Sequence, residues 1–224
     1  MTESPLPRLE GKRLILGVGG GIAAYKACDL ASKLAKEKAQ VTAVLTKGAR
    51  RFVTPFAFEA LTGRLCLTRQ FKRLEPGRTA YPHIDPALEA DLVILAPATA
   101  NLIARLAAGL AVDLLSTLLL TVRCPVLVCP AMNVQMWEHP ATQRNIRTLV
   151  GFGHRVLGPA KGDLACGMTG AGRLVEPAEI VETVCRAFAE TSPRAVPGFK
   201  ARERGTRGGR AKKHRGKPKG KGED

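Results

Sequence analysis

At 224 residues, 45% of them hydrophobic, the chain is long enough to bury one good-sized core, which excludes wholesale disorder. Its formal net charge of +16 is uneven: residues 193–224 hold 12 Lys+Arg against 3 Asp+Glu, and the rest of the chain holds 23 against 16. No window is apolar for long enough to span a bilayer, and the polar stretch from Met1 to Glu10 lacks a signal pattern, so a cytoplasmic location is expected.

In chain order, a short N-terminal extension (1–8) precedes Arg13 to Val18, an apolar run ending in glycines that predicts a buried parallel strand. Ile22 to Lys36 carries apolar residues at helical spacing, and Gln40 to Thr46 predicts the second strand of a βαβ unit. A helix over 49–61, a short strand over 64–67 and a loop over 72–82 follow. Asp91 to Ala96 predicts a strand running into Pro97 and a helix, and residues 113–122 predict a second helix. A strand over 125–129, a helix over 138–150 and a last strand over 155–157 come next. Gly158 to Gly172, with five glycines, reads as a long lid-like loop without regular structure. A helix over 177–189, with Pro177 in its first turn, closes the pattern.

Alternating strands and helices imply an α/β fold, a doubly wound parallel sheet of Rossmann-like type in a single domain over residues 9–190. Residues 191–224 hold at most one aromatic and many glycines, and read as a disordered basic tail. Nucleic acid could be a partner only through that tail, and then by salt-dependent, sequence-blind contact at most. A solubilising end explains the composition equally well.

Ligands of doubly wound sheets bind beyond the carboxyl ends of the strands. The first such end, Gly17 to Ala24, fits the GxGxxA form of a phosphate-binding turn when read from Gly19, though a tight strand-to-helix turn needs the same glycines. The second end reads Leu45-Thr46-Lys47, with no acid for the ribose hydroxyls of NAD. A hydroxyl and a lysine suit phosphate, and NADP stays open through Lys47, Arg50 and Arg51. The third end offers Thr99 and Asn101, and the fourth offers Asn133; all three are also ordinary turn or helix-start residues.

The six cysteines (Cys28, Cys66, Cys124, Cys129, Cys166, Cys185) form no CxxC pair and no cluster with histidine, so neither a disulfide scaffold nor a metal site is expected. Most sit in apolar runs and read as packing. Cys166 differs, because it stands in the glycine-rich segment. His83 alone would be incidental.

Together these residues resemble the homo-oligomeric flavin-containing cysteine decarboxylase family. The similar segments are GGIAAYK (20–26), VTPFAFEALTG (53–63), ADLVILAPATAN (90–101), DLLSTLLL (113–120), PAMNVQMWEHPATQRN (130–145) and ACGMTGAGRLVEP (165–177). The resemblance implies an FMN-dependent lyase that decarboxylates 4′-phosphopantothenoylcysteine to 4′-phosphopantetheine in coenzyme A biosynthesis. By it, Gly20, Gly21, Ile22, Thr46, Lys47 and Gly48 would cradle FMN. Thr99, Ala100, Asn101, Leu102 and Ala131 would line the rest of the flavin site. His83 would be the catalytic base and Cys166 the proton donor on a flap. Asn133 would hold the substrate carboxylate, with Met132, Ala165 and Gly167 beside it.

It further implies a homotrimer or a dodecamer of trimers, and a separate phosphopantothenate–cysteine ligase. One departure stands out: the family usually has Ser or Thr where this chain has Gly19, so a hydroxyl to the phosphate is missing.

The rival enzymes are a flavin prenyltransferase-like protein, which does not need the PAMN and ACG segments, and a peptidyl-cysteine decarboxylase, which does not need a returning proton from Cys166. A non-catalytic regulatory flavoprotein is the rival of another class.

Overall fold

The computed structural model describes residues 9–70, 83–165 and 167–190. The expected loop over 72–82, Cys166 and the tail lie outside the described residues.

Five parallel strands form the sheet in the order β2-β1-β3-β4-β5: β1 (Arg13–Val18), β2 (Gln40–Leu45), β3 (Leu92–Ala98), β4 (Val126–Pro130) and β5 (Arg155–Val156). Both faces are covered, so alternate residues of one strand enter different cores. Leu14, Leu16 and Val18 of β1 join Leu92, Ile94 and Ala96 of β3 on the first face. Ile15, Val93, Leu95 and Ala98 face the other way.

On the first face lie α1 (Ala24–Lys36), α2 (Pro55–Thr62) and α8 (Pro177–Glu190), through buried residues such as Leu30, Phe58 and Ile180. On the second lie α3 (Asp85–Glu89), α4 (Ala100–Ala108), α5 (Leu114–Leu119) and α7 (Pro140–Gly151). Gly17 allows α5 its close approach, because a Cβ there would stand 2.7 Å from Leu95 Cδ2 and 2.8 Å from Leu115 Cδ1. A doubly wound α/β fold is therefore what the chain adopts.

Three expectations change. The helix expected over 49–61 is a 3-10 turn at Ala49–Arg51 and a separate α2, because Thr54 caps a new helix through the Ala57 N–H and Pro55 occupies its first position. The strand expected over 64–67 contributes only a single bridge, Val44 to Leu67. The glycine-rich segment expected to lack regular structure is an antiparallel hairpin of β6 (Ala160–Asp163) and β7 (Thr169–Arg173). A short helix, α6 (Val134–Glu138), also precedes α7.

Candidate active site

A cavity of about 400 Å3 opens at the carboxyl ends of β1 to β4, within the usual range of small-molecule sites. Its lining begins with Gly19, Gly20 and Gly21 after β1 and Thr46, Lys47 and Gly48 after β2. Thr99, Ala100, Asn101 and Leu102 line it after β3, and Ala131 and Met132 after β4. Every expected cofactor residue except Ile22 thus meets in one place; the Ile22 side chain is exposed instead.

The two glycine turns touch backbone to backbone. A Cβ on Gly20 would stand 2.6 Å from Gly48 Cα, closer than real side chains come. At Gly19 the same atom would lie 2.5 Å from Pro97 O, whose carbonyl accepts the Gly19 N–H at 3.0 Å. A side chain at position 19 would therefore require the end of β3 to shift.

The chemistry of this wall suits an anion. Among the described residues, the N–H groups of Gly20, Ile22 and Ala23 have no acceptor, and they precede the 13-residue helix α1 with its positive dipole end. The Thr46 hydroxyl donates to Val18 O and accepts from Ala49 N, each at 3.1 Å. Its one proton is used there, so this residue shapes the turn and does not donate to a ligand. The Thr99 hydroxyl accepts from Leu102 N at 3.3 Å as the cap of α4, and its own proton stays available to the cavity. Lys47 and Asn101 are exposed at the rim.

Asn133 caps α6, with Oδ1 accepting from Gln135 N at 2.8 Å, which turns its Nδ2 toward the hairpin and Met168 Sδ at 3.2 Å. The hairpin is fitted tightly to that segment. Met132 N donates to Gly172 O at 3.0 Å, and a Cβ on Gly172 would lie 2.3 Å from Met132 O. Ala165 and Gly167 are exposed in the turn between β6 and β7, Gly167 with a left-handed φ of +81°. His83 is half-buried just before α3 and is not among the residues lining the cavity. Of the two residues expected to be catalytic, the other, Cys166, falls outside the described residues.

Arg105, Asp113 and Met136 also line the cavity and are absent from the sequence reading. A signal for Arg105 existed: it lies four residues after Asn101, hence on the same helix face. The remaining cysteines are packing thiols. Burial pushes Cys66 and Cys124 up to about 12, and the fully enclosed Cys129 is raised as well.

A sheet-end cavity with a backbone anion cradle defines a class that the comparisons make concrete. The chain belongs to the Flavoprotein family, whose profile matches residues 3–189. It is 46% identical over 190 residues to the coenzyme A biosynthesis bifunctional protein CoaBC of Bacillus subtilis, covering 85% of this chain and 46% of that protein. The chain thus spans about half the length of the curated relatives it matches. Among solved structures it is similar to a PPC decarboxylase mutant complexed with pantothenoylaminoethenethiol, with a TM-score of 0.71, 30% identity, and coverage of 81% of this chain and 100% of the other. The FMN-dependent cysteine decarboxylase SpaF gives a TM-score of 0.68 at 30% identity, covering 81% and 99% of the two chains.

Proposed function

We propose that this chain binds FMN in the sheet-end cavity and decarboxylates 4′-phosphopantothenoylcysteine to 4′-phosphopantetheine. The carrying observation is the convergence of four strand ends on one cavity whose lining includes Gly20, in a glycine turn where the N–H groups of Gly20, Ile22 and Ala23 have no acceptor among the described residues. The names of the bifunctional relative and of the PPC decarboxylase support the substrate.

The residues present fit FMN. Gly20, Ile22, Ala23 and the start of α1 would hold its phosphate, and Thr99 to Leu102, Ala131 and Met132 would line the remainder. FMN supplies reversible hydride acceptance at the sulfur-bearing carbon, which makes loss of CO₂ feasible. Asn133 follows the lining residue Met132, is not itself among the residues lining the cavity, and has its amide held by Gln135 N beside the hairpin; from there it would orient the substrate carboxylate. His83 takes the proton released in the oxidative half, and Cys166 returns one in the reductive half. His83 does not line its own chain's cavity, so a site completed between copies in a homotrimer accounts for its role. Cytoplasmic residence agrees with the five described cysteines, all free thiols, and no helix among the described residues is long and apolar enough to cross a membrane.

The test is direct. The purified protein should titrate with FMN, bind it tightly and release CO₂ from the substrate. His83→Asn should leave the flavin oxidised on mixing. Cys166→Ser should still release CO₂ but accumulate an oxidised or enethiol-type product, detected by mass spectrometry. A protein that refuses FMN defeats the reading, and normal product at the wild-type rate from Cys166→Ser defeats that residue's role.

A further inference from the structure

The two faces of the sheet give the cavity two different walls. The glycine turn before α1 and the turn over 46–48 belong to the first face. Further lining comes from α4 through Asn101, Leu102 and Arg105, and from Asp113 at the start of α5, two helices that pack on the second face. Arg105 stands on α4 one helical turn, about 5.4 Å, beyond Asn101.

Its position is set by a chain of bonds. Asp113 caps α5, and its Oδ1 accepts from Ser116 N and Ser116 Oγ at 2.8 Å each. Its Oδ2 is left to accept from Arg105 Nη1, also at 2.8 Å. Asp113 is thus fixed by its own helix, and Arg105 by Asp113. A guanidinium has five N–H donors, and among the described residues Asp113 is the only partner that takes one. Arg105 and Asp113 are both partly exposed, at 29% and 28%, and both border the cavity.

We propose that Arg105, positioned by Asp113, donates to the ring system of bound flavin, opposite the N–H groups that take its phosphate. The inference rests on the FMN reading above. A phosphate seated at α1 occupies the first wall, so the remainder of the ligand extends toward α4 and α5. The flavin heterocycle carries carbonyl and nitrogen acceptors along one edge, and a planar cationic fork serves such an edge better than an ammonium does. The reduced ring carries more negative charge than the oxidised one, so a cation held there favours reduction.

Riboflavin, which lacks the phosphate, separates the two ends of the ligand. In fluorescence titrations Arg105→Met should weaken FMN and riboflavin by the same factor, tenfold or more, and lower the midpoint potential of the bound flavin. Arg105→Lys should fall between wild type and Arg105→Met, because it keeps the charge and loses the fork. Asp113→Asn, which preserves a good helix cap, should weaken both ligands at least threefold by releasing the guanidinium. These milder variants carry the test if circular dichroism finds Arg105→Met unfolded. Unchanged affinity for both ligands overturns the proposal, and so does weakening of FMN with riboflavin unaffected. Failure of the wild-type protein to bind FMN overturns the cofactor reading and this inference with it.

Discussion

Glycines build both the cradle at the ends of β1 and β2 and the β6–β7 hairpin, yet they do so under opposite mechanical conditions. Gly19 and Gly20 sit where parallel strands already paired along their length bring three turns into backbone contact. Gly170 and Gly172 sit in a two-stranded unit that is antiparallel within itself and meets the body at Met132 and Val134. A two-stranded hairpin has little stability of its own, so the hairpin's order depends on that docking. The cradle cannot be disturbed without disturbing the sheet, whereas the hairpin can be detached while the sheet persists. Cofactor binding and catalysis should therefore be separable by mutation.

Gly20→Val tests the cradle and should have the largest effect. Its Cβ meets the backbone of Gly48 at 2.6 Å, and no rotamer relieves a backbone clash. An overpacking cost of about 1–3 kcal/mol at the binding turn predicts a loss of FMN affinity of about five- to 150-fold, measured by fluorescence titration. Gly19→Ser, which restores the family's usual residue type, should destabilise the fold by about 1–3 kcal/mol in urea unfolding, because Pro97 O lies 2.5 Å from the new Cβ. A stabilised Gly19→Ser protein would mean that the end of β3 yields easily.

Gly172→Ala addresses the other region. With Met132 O only 2.3 Å from the added Cβ, the hairpin should lift and turnover fall more than tenfold. FMN affinity should stay within about twofold of wild type and the unfolding midpoint should barely move, since the sheet is untouched. Parallel loss of flavin would erase the distinction between the regions.

The smallest effect belongs to the hairpin's outer tie. Glu176 accepts from Lys26 Nζ of α1 at 2.7 Å and from Arg173 Nη2 of β7 at 3.4 Å. The Lys26 bond, aided by both cations, holds the Glu176 carboxyl below its ordinary 4.5. A lowered folded-state value means the stabilisation is complete above pH 4.5 and disappears as pH falls through the folded value. For so exposed a pair, Glu176→Gln should cost less than about 1 kcal/mol at pH 7. The difference from wild type should vanish in unfolding curves run well below pH 4.5.

The same contrast explains what could be read from the sequence. The strands of the parallel sheet are buried on both faces, so RLILGV and LVILAPA stand out as apolar runs, and strand-end turns are where ligands of such sheets bind. That is why the turns holding Gly20, Thr46 and Thr99 are legible as strand ends, whereas Ala131 is implied only by the family resemblance. The hairpin strands AKGD and TGAGR carry neither apolar alternation nor β-branched runs. Their pairing depends on glycine fit against Met132 and Val134, which no local pattern reports. Arg105 and Asp113 are less legible for another reason: spacing from Asn101 points along α4 to Arg105, but the bond that fixes Arg105 reaches Asp113 at the start of another helix, which spacing within one helix does not report.

The Thr46 hydroxyl, which ties the end of β1 to the turn after β2, has a consequence for binding kinetics. Because the protein's own bonds hold the turn, an incoming ligand meets a finished surface and little ordering entropy remains to be lost. Association should follow a single exponential whose rate climbs linearly with ligand concentration, without the plateau of a rate-limiting rearrangement. In Thr46→Val the tie is gone, and the trace should gain a slow, concentration-independent phase as the turn reorganises around the ligand.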